Sequence, residues 1–162
     1  MSHRSHQRGM TLLELIIATA ITAVIVGGLS TAIYLIISTT ERGNAEASAL
    51  HNIQKAAYWI SRDAQMARTT DLIDGESAID SLSLQWIDGD GNPHSSSYEL
   101  SGTELLRNYD DTLTIVARGI SSAEFAISGN ILTFNIESTH AGRWPVSRAT
   151  TGKVYLRAKT GE

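Results

Sequence analysis

Cysteine is absent from the 162 residues, so the chain can build no disulfide framework, thiolate zinc site or thiol nucleophile. Proline is nearly absent, with two in all, and the first is Pro93. No proline kink is therefore expected in a helix that ends before it. Aromatic residues make up only 6%, and the formal net charge is −4. That acidic balance and the thin aromatic content argue against a general nucleic-acid footprint. The most informative absence is local: over residues 10–37, a run of 28, Glu14 is the only side chain charged at neutral pH.

A run of this length reaches about 42 Å as a helix. A hydrocarbon core of about 30 Å needs about 20 residues, so the segment can span a membrane. A buried core helix of that length would carry some polar positions. A cleaved secretory signal would have a shorter apolar region, about 7–15 residues, followed by a small-residue cleavage site. An ordinary single-pass anchor fits the length but leaves Glu14 unexplained. A charge at mid-span costs about 2.5–3.5 kcal/mol on insertion scales, so its presence asks for a reason.

The reason lies in the flanking block. A short basic leader, MSHRSHQRG, ends at Gly9 and is followed by Met10, Thr11, Leu12, Leu13, Glu14 and the apolar run. This block resembles the cleavage and methylation signal of the type IV pilin superfamily. The resemblance implies that a prepilin peptidase cuts between Gly9 and Met10 and then methylates the new amine of Met10. It implies that Glu14 pairs with the terminal amine of a neighbouring subunit in a filament core. It also implies other pilin or pseudopilin subunits, and a membrane, as partners. Arg4 and Arg8 would hold the leader in the cytoplasm by the positive-inside rule, which puts the bulk of the chain outside it. A glycine before the cut lets an enzyme's backbone approach closely. The competing account of Glu14 is a carboxylate snorkelling beside a helix start, where the dipole favours it.

After Ile37 the composition changes. Leu50, Ile53, Ala57, Ile60, Ala64 and Ala67 form an apolar stripe of helical period, with Asn52, Lys55, Arg62 and Asp63 read as the opposite, polar face. The expected organisation is a leader over 1–9, a membrane or filament-core helix over 10–37, and a soluble head over 38–162. Within the head, 38–68 is an amphipathic helix with Gly43 as a soft point, and 80–160 is a β-sheet.

The period then becomes two. Ser81–Ile87 alternates as a half-buried strand, and DGDGN follows as a turn. SSSYEL, ELLRNY and DTLTIVARGI continue as short segments. AEFAISGNILTFNIEST reads as two strands joined at Ser128-Gly129-Asn130, and KVYLRAK as a last strand. The expected class is α+β: a long helix packed on an antiparallel sheet, as in the pilin fold. The pattern is closest to the J-type minor pseudopilins of type II secretion and the W-type minor pilins of type IV pili.

Asp88, Asp90, Asn92 and Glu99 fall at EF-hand-like spacings, but Pro93 stands where the loop needs a sharply turning glycine. The turn therefore reads as a hairpin tip, with Asp88, Asp90 and Asn92 a weak calcium candidate. A signal-anchored, calcium-dependent adhesin is the alternative function. No HExxH, GxSxG or phosphate-cradling pattern is present. His3 and His6 lie in the leader, and His51, His94 and His140 in no recognised motif, so no enzyme activity and no cofactor are expected. Tyr58 and Trp59 read as packing or subunit contacts. Arg143, Arg148, Lys153, Arg157 and Lys159 form a basic run read as a solvated or inter-subunit face.

Overall fold

The structure is a computed structural model and describes residues 11–140 and 145–157. One helix, α1, runs from Leu12 to Met66, 55 residues. Eight strands follow, β1 (Thr69–Thr70), β2 (Ser81–Ile87), β3 (Pro93–Ser101), β4 (Glu104–Tyr109), β5 (Thr112–Arg118), β6 (Ile120–Ser128), β7 (Ile131–His140) and β8 (Val146–Tyr155). The α+β layout is as expected. The chain divides into two compact units, one through Glu41 and one from Arg42 onward.

In the first unit α1 is long and apolar enough to cross a membrane. Its large apolar side chains, from Leu12 to Ile37, are all exposed. No proline interrupts it, and it passes through Gly27 and Gly28 without a break.

In the second unit the helix presents Ala45, Ala49, Ile53, Ala56, Ile60 and Ala64 as its buried face, and Ala67 continues it just past the helix end. Two expectations are corrected here. Leu50 is 43% exposed, and Ala49 takes its place in the stripe. Asp63, expected on the polar face, is fully buried. The alanines keep this face narrow, so the larger residues opposite, among them Leu82, Leu84, Tyr98, Phe125 and Phe134, fill the core against it.

The strands form two sheets rather than the single sheet expected. The first has the order β1-β2-β3-β4-β5 and the second β6-β7-β8, all pairings antiparallel. The chain leaves the first sheet at Gly119, whose φ of +67° suits a residue with no Cβ. Its carbonyl accepts the Thr139 N–H at 3.0 Å and the Ser138 hydroxyl at 2.7 Å, which ties the crossing point to β7. The second sheet's first two strands and the turn between them lie where the alternation placed them. β8 starts earlier than expected, at Val146, because its first half, Ser147–Gly152, lacks the apolar alternation that marks a strand.

Candidate functional site

Thr11 opens the N-terminal segment. Its hydroxyl accepts the Glu14 N–H at 3.3 Å, and its carbonyl accepts the Leu15 N–H at 3.1 Å. These are the bonds of a helix N-cap, with Glu14 at the third helical position. The sequence carries the signal for it as Thr-x-x-Glu, the spacing of a capping box. Glu14 thus sits in the first turn of α1 with its side chain exposed. Gly9 and Met10, the expected cleavage and methylation positions, lie outside the described residues.

Several hydroxyls of the apolar half bond back to their own helix. The hydroxyls of Thr19, Thr22 and Thr31 donate to the carbonyls of Ile16, Ala18 and Gly27 at 2.8–3.0 Å. Ser38, Thr39 and Thr40 do the same toward Leu35 and Ile36. In lipid a polar group without a partner costs several kcal/mol, so this inward bonding makes the hydroxyls admissible there.

The head carries two polar clusters. The first surrounds Asp63. Its Oδ2 accepts from the Ser96 hydroxyl at 2.5 Å, the Tyr98 hydroxyl at 2.6 Å and Arg107 Nε at 2.7 Å, and its Oδ1 accepts from Arg107 Nη2 at 2.9 Å. Arg107 in turn lies over the rings of Trp59 and Tyr109, at 4.8 and 4.6 Å from their centroids. Desolvation pulls the Arg107 guanidinium down, but the bonds and charge of Asp63 more than offset it and raise its pKa. Burial first, and then the Asp63 charge, push the Tyr98 phenol well above its usual range. The cluster pins α1 to β3 and β4. Residue type alone hides it, because an aspartate beside an arginine on a helix normally marks the wet face.

The second cluster joins two turn tips. β4 and β5 connect through Asp110 and Asp111, both with positive φ, at 44° and 66°. That is the conformation of a two-residue hairpin, and aspartate tolerates it. Asp110 Oδ2 bonds His94 Nδ1 at 2.6 Å, and its Oδ1 accepts the Ser95 N–H at 2.8 Å. The other ring nitrogen, Nε2, is 3.2 Å from Asp88 Oδ2. His94 packs against both Trp86 and Tyr109, with centroids at 5.9 and 6.0 Å, and those two rings lie 5.9 Å from each other. The bond to Asp110 and then that to Asp88 raise the His94 pKa. Asp88 is held low chiefly by the Asn92 backbone and side chain, and Asp110 chiefly by His94.

The DGDGN turn is bonded largely within itself. Asp88 Oδ1 accepts the N–H groups of Asp90 and Asn92 at 2.9 and 2.8 Å, and its Oδ2 accepts from Asn92 Nδ2 at 3.1 Å. Its oxygens serve the turn and His94. Glu99 pairs with Ser81 at the far end of the β2–β3 hairpin, which opens at Ile87 and Pro93, and is not brought to the turn. Among the described residues no group of three acidic or histidine side chains could hold a metal. Of the basic run, Arg148 pairs with Glu46 of α1. Arg143 and Lys159 lie outside the described residues.

Residues 4–30 match the family described as the prokaryotic N-terminal methylation motif. The chain thus carries the N-terminal signal of type IV pilin-like proteins, on a helix long and apolar enough to cross a membrane. No curated protein and no solved structure matches the chain.

Proposed function

We propose that the chain is a minor pilin or pseudopilin, a structural subunit of a type IV pilus-like or type II secretion filament. Its work is assembly rather than catalysis. The peptidase removes residues 1–9, Met10 becomes the N-methylated first residue, and the head stands outside the cytoplasm. Glu14 then meets the amine of a neighbouring subunit as apolar helices pack side by side. Both charges are expensive alone in an apolar setting, so the pair fixes register more than it adds stability. The observation that carries this reading is the lone carboxylate in the first turn of an otherwise uncharged, exposed apolar helix segment. The minor role rests on the missing proline in that helix, a residue that many major pilins carry there.

Intact mass of the membrane-extracted protein, from cells holding the peptidase, tests the reading. The expected species begins at Met10 and carries one added methyl group. A mature chain that still begins at Met1 would overturn it.

A further inference from the structure

An edge strand shows a row of backbone N–H and C=O groups that its own sheet leaves unpaired. Natural proteins blunt such edges by shortness, charge or cover. The two sheets of the head have their edges at β1, β5, β6 and β8, and all but β5 are blunted in these ways. β1 is two residues long. β8 carries Arg148 and Lys153. β6 is covered by the segment before β2: Ile79 exchanges both backbone bonds with Phe125, at 2.9 and 2.7 Å, and the Gly75 N–H donates to the Ile127 carbonyl at 3.3 Å. β5 differs on every count. Among the described residues no strand pairs with its outer side and no turn or loop bond reaches it. Its residues 112–117 carry no charge, and Leu113 and Ile115 stay 65% and 40% exposed.

We infer that β5 is a docking edge for a second copy of this chain, the two β5 strands pairing antiparallel about Thr114 so that the first sheets of both copies continue as one. The free backbone groups set the register. Tyr109 and Thr112 close the two-residue turn at Asp110 and Asp111, so their backbone groups face each other. Alternation then turns the N–H and C=O of Leu113 and Ile115 outward. The bulge opposite Leu105 and Leu106 falls beyond Ile115 and leaves this alternation intact. About a two-fold axis at Thr114, Leu113 of one copy stands opposite Ile115 of the other, and the two exchange backbone bonds across the seam. Their side chains meet on one face of the joined sheet as apolar cross-strand pairs. Charge selects the occupant. β5 starts from an acidic tip, Asp110 and Asp111, and ends at Arg118, whose side chain is 70% exposed and bonds Glu104 through Nε at 2.9 Å. Antiparallel self-pairing sets each copy's acidic tip beside the other's Arg118, whereas a parallel pair would set acid against acid.

Because the chain has no cysteine, one introduced thiol reports on one place. Thr114 of each copy would face the other in a non-hydrogen-bonded pair, the closer kind, whose spacing suits a disulfide. The full-length chain carrying Thr114→Cys, in membranes under a mild oxidant, should give a disulfide-linked dimer on a non-reducing gel. Its yield should be about tenfold that of Tyr155→Cys, an exposed position on β8 that the seam does not touch. Adding Leu113→Lys and Ile115→Lys puts like charges opposite each other at both contacts and should lower the dimer about tenfold. Arg118→Glu, a change at an exposed side chain that leaves the core alone, should lower it about threefold by setting acid beside acid. Equal dimer from Thr114→Cys and Tyr155→Cys would overturn the inference. So would a Thr114→Cys dimer that neither charge change weakens, or a thiol that links to a different protein instead of a second copy.

Discussion

Removing the guanidinium of Arg107 would strand a buried carboxylate. Asp63 has no access to water, and half of its four hydrogen bonds come from Arg107. Arg107→Ala is expected to destabilise the head by about 3–5 kcal/mol, measured by chemical unfolding of the purified chain. Replacing both partners together, Asp63→Leu with Arg107→Met, should cost far less, because no charge is left unpaired. A second sensitive residue is Gly152. A Cβ there would lie 2.1 Å from Cζ of Phe134, the residue paired with it across β7 and β8. Gly152→Ala should cost about 1–3 kcal/mol by overpacking. Neither site was legible in the sequence. Asp63 sits one position off a stripe whose period is plain, and only its partners, at least 33 residues away in sequence, show that it faces inward. Around Gly152 nothing local marks the aromatic ring that covers it.

At the scale of elements, His94 fastens the β2–β3 turn to the β4–β5 turn through Asp88 and Asp110. The pH dependence follows from the direction of each shift. The His94 pKa is raised on folding, so its contribution is complete below about 6.5, its unfolded value, and fades as pH rises through the folded value. The two aspartates are lowered, so theirs is complete above about 3.9 and fades as pH falls. Thermal unfolding should therefore show a plateau between these limits. His94→Gln should flatten the alkaline decline, which a pH series on the two proteins would show. The strands themselves were largely readable. β2, β4 and the β6–β7 hairpin follow from alternation and from Gly129, because one side of each faces the core. The division into two sheets was not readable, since it is made at Gly119 by bonds to β7 that no local pattern announces.

For the whole molecule, the N-terminal block was the most legible part, because a fixed string of residue types at the edge of an apolar run seldom arises by chance. Glu14 gives the prediction at this scale. Under the proposed role, Glu14→Ala should leave insertion and cleavage intact and lower the ratio of filament-bound to membrane-pool protein. Glu14→Gln should do the same, since it keeps shape without charge. Equal ratios for all three proteins would reject the pairing. The hydroxyls of Thr19, Thr22 and Thr31 bear on the same transition from another side. Each is already bonded to a carbonyl of its own helix, so none depends on lipid, water or a neighbour. A rod of this kind can leave one apolar solvent for another without breaking or making a single one of these bonds. Extraction from the bilayer is then opposed by apolar contacts that the packed bundle replaces in kind. Under the proposed role, these bonds add nothing to the cost of that exchange in either direction.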